Sequence, residues 1–424
     1  MSSAVGNTRL ASAGSVLPEI APDPRVAGRA RWNGLLLLAA SFLSVTGGAV
    51  TTVALTFGLL ELKGQADAVG MVLASRAVPL ILFLLLGGVI ADRIDRRLLM
   101  IAADGLRATA QLLLGYLMLF GGATIPVMMS LAFIVGMGDA LFVPSQSGLV
   151  PELLPQCQLQ QLNARMGLVS SVAGIAGPVI GGILVKLAGS GLAIAVDGLT
   201  FVLSALILAQ IRRPAAAHQS QSIGRDAIWT DLKLGFQEFL RRRWLTLMVG
   251  QAALFHLLVL GPLFILGPLM FKGAADGALR WSELLSAWAA GGLCGGVAAL
   301  NMKPRYPLAY AAALFPLSAV IPASLALPLP HVVRLSAFGF GSACLAVFAV
   351  FWTTTLHTKI PSDVISRVSA FDAVVSLSLL PAGYVLAPAL LAAVGINDSF
   401  WIGSAVCLAC GGVLLSRDVR ALQS

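Results

Sequence analysis

Charged residues are scarce in this chain and make up only 11% of its 424 residues, whereas ordinary soluble domains carry about 25%. Hydrophobic residues make up 58% of the sequence. A soluble fold of this length has no interior large enough to hide so much apolar surface. The composition therefore excludes an ordinary soluble protein and indicates that lipid is the solvent for much of the chain.

Cysteine is also scarce, and the five cysteines give no disulfide framework. Cys407 and Cys410 have the spacing of metal ligands, but no second pair or histidine cluster accompanies them, so we expect neither a metal nor another cofactor. The formal charge of +9 is spread through loops between apolar segments. Because basic residues and aromatic residues do not cluster together, we expect no nucleic-acid partner.

Twelve apolar segments of about 20 residues or more follow a polar segment at 1–31, which we interpret as a disordered tail without a signal peptide. Six segments lie in 32–211 and six in 245–416. A polar linker at 212–244 separates them, and its apolar residues recur at the spacing of an amphipathic helix. A short tail, 417–424, ends the chain. The pattern predicts an all-α membrane protein with twelve transmembrane helices in two six-helix bundles.

The distribution of basic residues predicts the orientation of these segments. Most of the 28 lysines and arginines lie in loops on the side that also holds both termini. Because short cytoplasmic loops are enriched in lysine and arginine, we expect both termini in the cytoplasm. A weak echo of the first half in the second, the pair Gly295 and Gly296 followed by a basic loop, supports two related halves.

A short charged loop joins the second and third segments. It combines a glycine pair, an aspartate and three arginines: Gly87, Gly88, Asp92, Arg93, Arg96 and Arg97. Paired glycines let helices approach closely, the aspartate can face the positive end of a neighbouring helix, and the arginines hold the loop on the cytoplasmic side.

The fifth segment contains small residues at close spacing around a proline. They are Gly174, Gly177, Pro178, Gly181 and Gly182. This pattern predicts a kink and a close contact with another helix. Helix packing alone is the simpler interpretation of it.

These stretches resemble motifs of the major facilitator superfamily. The loop resembles the family's G-x-x-x-D-R-x-G-R-R motif, with Asp95 in place of a glycine, and the fifth segment resembles the fifth-helix motif of its exporters. Segments 144–155 and 361–369 are similar to loops of macrolide- and siderophore-efflux facilitators. The resemblance implies two bundles that open a central site alternately to each side, with the charged loop as a conformational latch. In that latch Asp92 faces the eleventh helix near Ser362.

The resemblance also implies a function. We expect a monomeric transporter in a prokaryotic cytoplasmic membrane that exports a small hydrophobic or amphipathic compound in exchange for protons. An importer or uniporter is the alternative within this class. A membrane enzyme is a distant one, because Asp92 and Asp95 resemble the metal-binding carboxylates of polytopic prenyltransferases, whereas the second acidic cluster of such enzymes is missing.

Candidate substrate and proton sites come from polar and aromatic residues inside the segments. In the superfamily the first, fourth, seventh and tenth helices line the central cavity. The candidates are Arg76, Gln251, Phe255, His256, Phe348 and Trp352. Arg76 has two interpretations, a pair with Glu61 or Asp67, or a contact with an anionic substrate. His256 is a proton-site candidate or a polar link between helices.

Four intramembrane aspartates have predicted partners. We end the fourth segment near Val143, which places Asp139 close to the latch and predicts a pair with Arg96 or Arg97; a role in carrying a proton is the alternative for Asp139. Asp104 and Arg107, three residues apart, are expected to neutralise each other. We expect Asp197 to pair with Lys186, and we expect Asp372 to lie near the cytoplasmic charge cluster.

The first segment lacks the carboxylate that proton-coupled exporters of this superfamily often carry there. Its matching stretch, 45–52, holds threonine, glycine, valine and alanine only. Proton exchange is therefore implied by the resemblance and not by this segment.

Overall fold

The computed structural model describes residues 24–63, 66–154, 156–211, 237, 239–361 and 364–420, and these residues are helical almost throughout. Most of the linker, 212–236, lies outside this part of the chain, and with it most of the predicted amphipathic helix.

Six helices form the N-terminal half. The first four are α1 (Pro24–Lys63), α2 (Ala66–Arg93), α3 (Arg96–Phe120) and α4 (Ile125–Leu153). The continuous stretch Gln156–Leu208 contains Gly189 at φ 82°, ψ 165°. A side chain is strained at this φ, so glycine allows the chain to turn back there. We name the parts before and after it α5 (156–188) and α6 (190–208).

The C-terminal half has the same number of helices. They are α7 (Arg243–Phe271), α8 (Gly277–Ala299), α9 (Pro307–Ala326), α10 (His331–Lys359), α11 (365–394) and α12 (396–410). A π-helical turn, His256–Leu260, interrupts α7, and a 3₁₀ turn, Phe315–Ala319, interrupts α9. Gly395, at φ 83°, separates α11 from α12 as Gly189 separates α5 from α6.

In the described part of the chain, nine helical stretches are long and apolar enough to cross a membrane. Two of them contain Gly189 or Gly395 and therefore cross twice. The twelfth crossing is α8, whose 23 residues span about 35 Å but which carries Arg280 and Glu283 and is less apolar.

Successive helices alternate in direction, so the fold has two ends. We call the end that holds Arg96, Arg97 and Ile211 the basic end, and the end that holds Gly121, Gly189 and Gly395 the opposite end. These names describe position only.

The fourth helix is longer than predicted. Instead of ending near Val143, α4 runs through Pro144 to Leu153. Proline removes one backbone hydrogen bond, but Phe142, Leu149 and Leu153 remain packed in a buried cluster with α1 and α6. Packing therefore overrides the local proline signal and moves the end of α4 about 20 Å beyond Asp139, at 1.5 Å per residue.

Candidate functional site

Four charged side chains and a serine form a row through the N-terminal half. Arg76 of α2 lies 3.0 Å from Asp139 of α4, whose other oxygen is 3.0 Å from Arg107 of α3. Arg107 also pairs with Asp104, which accepts a hydrogen bond of 2.7 Å from Ser204 of α6. We call this row the charge ladder. It links four helices and balances two guanidinium groups with two carboxylates.

The centre of the ladder is held between aromatic rings. The guanidinium carbon of Arg107 lies 4.3 Å from the ring centroids of both Phe142 and Phe201. Gly138 leaves room for the arginine stem, since a Cβ there would overlap it. Arg107 is 4% exposed and Asp104 is fully buried. Cation–π contact and charge pairing together offset the cost of burying these groups.

The predicted pair between Asp139 and Arg96 or Arg97 is wrong. Arg96 lies 3.1 Å from Glu152, and Arg97 donates a hydrogen bond of 2.9 Å to the Leu208 carbonyl. Both arginines thus tie the start of α3 to the basic ends of α4 and α6. Asp139 is out of their reach because α4 continues well beyond it. The predicted neutralisation of Asp104 by Arg107 is confirmed.

The remaining latch residues, Gly87, Gly88, Asp92 and Arg93, belong to α2, but their side chains lie outside the described residues, as does Ser362. The proposed contact between Asp92 and the eleventh helix stays a prediction. Asp95 is described: its carboxylate accepts a hydrogen bond of 3.1 Å from the Leu98 amide and caps α3. Its φ is −52°, so this turn does not require glycine.

Arg76 pairs with Asp139 and with neither Glu61 nor Asp67, the partners predicted from sequence. Those two residues lie near the opposite end, whereas Arg76 lies deeper along α2. Its side chain remains 23% exposed.

Asp197 has a different set of partners from the one predicted. Its Oδ2 accepts hydrogen bonds of 2.6 Å from Thr51 of α1 and 2.8 Å from Gln111 of α3. Lys186 instead lies 2.6 Å from Asp276, just before α8. The turn at Gly189 explains the error, because it places Lys186 at the opposite end and Asp197 in the interior of α6.

The small residues of the fifth segment lie on two faces of α5. A Cβ on Gly177 or Gly181 would overlap α1, and a Cβ on Gly182 would overlap α8. Gly174 also faces α8, since a Cβ there would lie 3.5 Å from the Ala289 side chain, and Pro178 lies between the two sets. The motif therefore packs α5 against its own half on one side and against the other half on the second.

The halves meet near the opposite end. Ser286 of α8 donates a hydrogen bond of 2.7 Å to the Ile175 carbonyl of α5, and Lys186 binds Asp276. Gly70 of α2 packs against the backbone of Tyr384 in α11. The Lys186 ammonium donates a hydrogen bond to Asp276 and attracts its charge, which holds the pKa of Asp276 below its ordinary value.

Aromatic rings dominate the core of the C-terminal half. The Phe255 and Phe315 centroids are 5.2 Å apart, and those of Phe315 and Phe348 are 5.1 Å apart, both nearly edge to face. We call Phe255, Phe315 and Phe348 the aromatic cluster. Sequence reasoning missed Phe315, because α9 is not among the helices expected to line a cavity.

Gln251 lies one helical turn before Phe255 on α7. It is 3% exposed, and neither amide atom has a hydrogen-bond partner among the described residues. His256 donates from Nδ1 to the Ala252 carbonyl of its own helix at 2.7 Å, so the predicted link between helices is wrong. A buried amide without a partner is costly to the fold and indicates a group held for another purpose.

Trp352 binds the intramembrane aspartate of the C-terminal half. Its Nε1 donates to Asp372 at 3.0 Å, and Ser376 donates to the same carboxylate at 3.1 Å. Asp372 thus lies within its own bundle, and the prediction that it faces the basic-end charge cluster is wrong.

A cavity of about 540 Å³ lies at the basic end beside α1 and the start of α5. Its lining is mixed and includes Arg31, Leu35, Leu38, Gln158 and Arg165.

In the described part of the chain, twelve crossing helices lie in two halves that meet through a glycine-lined contact between α5 and α8, an arrangement typical of the major facilitator superfamily of transporters. Residues 34–424 match the family model described as transmembrane secretion effector, and the chain belongs to that family. This membership confirms the predicted superfamily, its all-α fold and its role as a transporter and not an enzyme.

Similar proteins include efflux pumps. The chain is 24% identical over 381 residues to macrolide efflux protein A of Streptococcus pyogenes, covering 87% of this chain and 92% of that protein. It is 26% identical over 383 residues to the multidrug efflux pump Tap of Mycolicibacterium fortuitum, covering 86% and 91%. The crystal structure of the nucleoside transporter NupG superposes with a TM-score of 0.71 at 12% identity, covering 90% and 97%, a likeness of fold alone.

Proposed function

We propose that this transporter exports small hydrophobic or amphipathic compounds, with macrolides as the first candidates, in exchange for protons. The names of its relatives support both the outward direction and the class of compound. In this chain the proposal depends most on Gln251. Its amide, which has no hydrogen-bond partner among the described residues, lies on the same face of α7 as Phe255, four residues later, so a hydrogen-bonding group adjoins the aromatic cluster.

Such a combination suits a bulky, mostly apolar ligand. Ring edges and faces supply contact area, and a single polar group orients the ligand without excluding related compounds. His256 and Trp352 flank this region on α7 and α10. A charged substrate fits less well, because Arg76 is already paired with Asp139.

Alternating access follows from the arrangement of the halves. They are in contact near the opposite end, through α5 and α8. We assign the basic end to the cytoplasm by its arginines, and in the proposed cycle the halves separate there to receive substrate from inside the cell. The loop with Asp92 then acts as a latch when the basic end closes.

Reconstitution in proteoliposomes tests this function. A pH-sensitive dye inside the vesicles reports an imposed proton gradient, and radiolabelled erythromycin reports transport. We expect erythromycin to move against its gradient and to collapse the pH difference, and we expect Gln251→Leu to weaken this flux several-fold. Gln210→Leu, at an exposed glutamine at the end of α6, is the matched control and should transport normally.

Each alternative function predicts a different result in this assay. Erythromycin flux without a pH change removes proton coupling but keeps the exporter. Movement only down the gradient, in either direction, indicates a uniporter. Full flux in Gln251→Leu excludes Gln251 from the binding site. If the protein transports none of the macrolides, lipophilic dyes and siderophores tested, the drug-export proposal is overturned.

A further inference from the structure

Asp197 is a buried carboxylate in the middle of α6. It is 0% exposed, and its hydrogen-bond donors are the neutral side chains of Thr51, Gln111 and Thr200, at 2.6, 2.8 and 3.3 Å. In the described part of the chain no lysine, arginine or histidine lies within ion-pair distance of it. Asp197 therefore differs from Asp104 and Asp139, which are both paired in the charge ladder.

The balance of charge in the N-terminal half follows from this difference. The ladder contains two arginines and two aspartates and is neutral by itself. An ionised Asp197 adds one uncompensated negative charge in a site without water contact, which is unfavourable in low dielectric. Binding a proton removes that charge while leaving an acceptor for Thr51 and Gln111.

The stretch of α1 beside Asp197 is the one that holds no carboxylate of its own, 45–52. Gly47 of α1 packs directly against the Asp197 carboxylate, since a Cβ there would overlap it. A Cβ on the next residue, Gly48, would lie 4.0 Å from the Arg76 guanidinium. Thus α1 passes between Asp197 and one end of the charge ladder.

Charged and titratable groups approach this region from several helices. Arg76 of α2 and Arg107 of α3 both attract Asp197, and Asp104 of α3 and Asp139 of α4 hold those arginines. Tyr384 of α11 lies near Arg76. From α1 itself the stretch 45–52 contributes no titratable side chain.

We propose that Asp197 of α6, which packs against α1, is the proton-binding carboxylate of this transporter. This inference rests on the proposed exchange of substrate for protons. A proton from water on one side of the membrane forms an O–H bond on Asp197 and leaves later to water on the other side. No other bond is made or broken.

The same contacts link the protonation state of Asp197 to the contact between the two halves. An ionised Asp197 attracts Arg76 across α1, whereas a protonated one leaves Arg76 to Asp139 alone. Because α1 packs on Gly177 and Gly181 of α5, a shift of α1 displaces α5. The other face of α5 carries the contact with α8 through Gly182, so proton binding acts on the junction between the halves.

Infrared difference spectroscopy between acidic and alkaline buffer tests the site without any substrate. The full-length protein in proteoliposomes should show the carbonyl-stretch band of a protonated carboxylic acid. We expect this band to be lost in Asp197→Asn, which keeps the acceptor for Thr51, and retained in Asp372→Asn, the matched variant in the other half. A band unchanged in Asp197→Asn would overturn the proposal.

Two further measurements test the site in the wild-type protein, where a variant's misfolding plays no part, and test its role in transport. In the wild type, a carbodiimide that modifies protonated carboxyl groups in apolar surroundings should label Asp197 in acidic buffer, as mapped by mass spectrometry; labelling of Asp372 alone contradicts the proposal. In erythromycin assays, Asp197→Asn should lose transport driven by a proton gradient but keep exchange of labelled for unlabelled drug. If the wild type moves no compound, the proposed function fails while the infrared result still decides the proton site.

Discussion

The two halves share an architecture but differ in what fills their cores. The N-terminal half buries the charge ladder and Asp197, whose carboxylates bind named side chains at 2.6–3.0 Å. The C-terminal half buries the aromatic cluster, Asp372 held by Trp352 and Ser376, and Gln251, which has no partner among the described residues. Ionic networks demand particular partners, whereas rings accept varied neighbours. This difference supports the proposals made above, in which proton binding belongs to the first half and ligand contact to the second.

The largest effect is expected in the charge ladder. Arg107→Met leaves Asp104 and Asp139 buried with fewer partners, and breaking a buried ion pair from one side costs about 3–5 kcal/mol. The free energy of unfolding in mixed micelles should fall by that amount. Arg305→Met, at an exposed arginine of the C-terminal half, should leave it unchanged.

A double variant separates charge from packing. Asp104→Asn combined with Arg107→Met removes one complete pair and leaves Arg76 with Asp139, so part of the lost stability should return. Equal losses in the single and double variants would mean that the rings around Arg107, and not its charge, stabilise this core.

A smaller effect is expected in the aromatic cluster. Phe255→Leu keeps an apolar side chain but removes the edge-to-face pair with Phe315, worth about 1 kcal/mol. The same unfolding measurement should show this loss, and Phe340→Leu, at a side chain 54% exposed, should show almost none. A loss as large as that of Arg107→Met would remove the contrast between the halves.

The smallest effect is expected where the halves meet. Lys186 holds the pKa of Asp276 below its ordinary value, so the pair stabilises the contact above the ordinary pKa of an aspartate and loses this effect as the pH falls through the lowered pKa. Both side chains are nearly half exposed, which makes the contribution small.

A nitroxide spin label, attached at neutral pH to an engineered cysteine at Ala275, measures this contact by its mobility. With Asp276 present, the label should become more mobile as the pH falls through the lowered pKa of Asp276. In Asp276→Asn the label should be mobile already, and its mobility should not depend on pH over that range. A pH-dependent mobility in Asp276→Asn would assign the effect to another group.

Sequence reasoning succeeded where the signal was local and failed where helices had to be placed beside each other. Asp104 and Arg107, three residues apart, were predicted as a pair and form one. The pair of Asp139 with Arg96 or Arg97 is wrong because α4 does not end near Val143 but continues to Leu153. Lys186 and Asp197 were paired across the turn at Gly189. Phe315 had no sequence signal and is recognisable only from its contacts with Phe255 and Phe348.

By itself the sequence determined that lipid surrounds much of the chain, that the protein is an all-α membrane protein and that it resembles the major facilitator superfamily. Its apolar segments must lie in lipid because a chain of this composition has no other place for them, and its motifs place it among the facilitators. Only the tertiary structure decided which buried charges are paired. A carboxylate takes its partner from whichever helix lies beside it, and that depends on helix lengths, on turns at Gly189 and Gly395, and on close packing at glycines. For this reason the carboxylate that packs against Gly47 of α1 comes from α6.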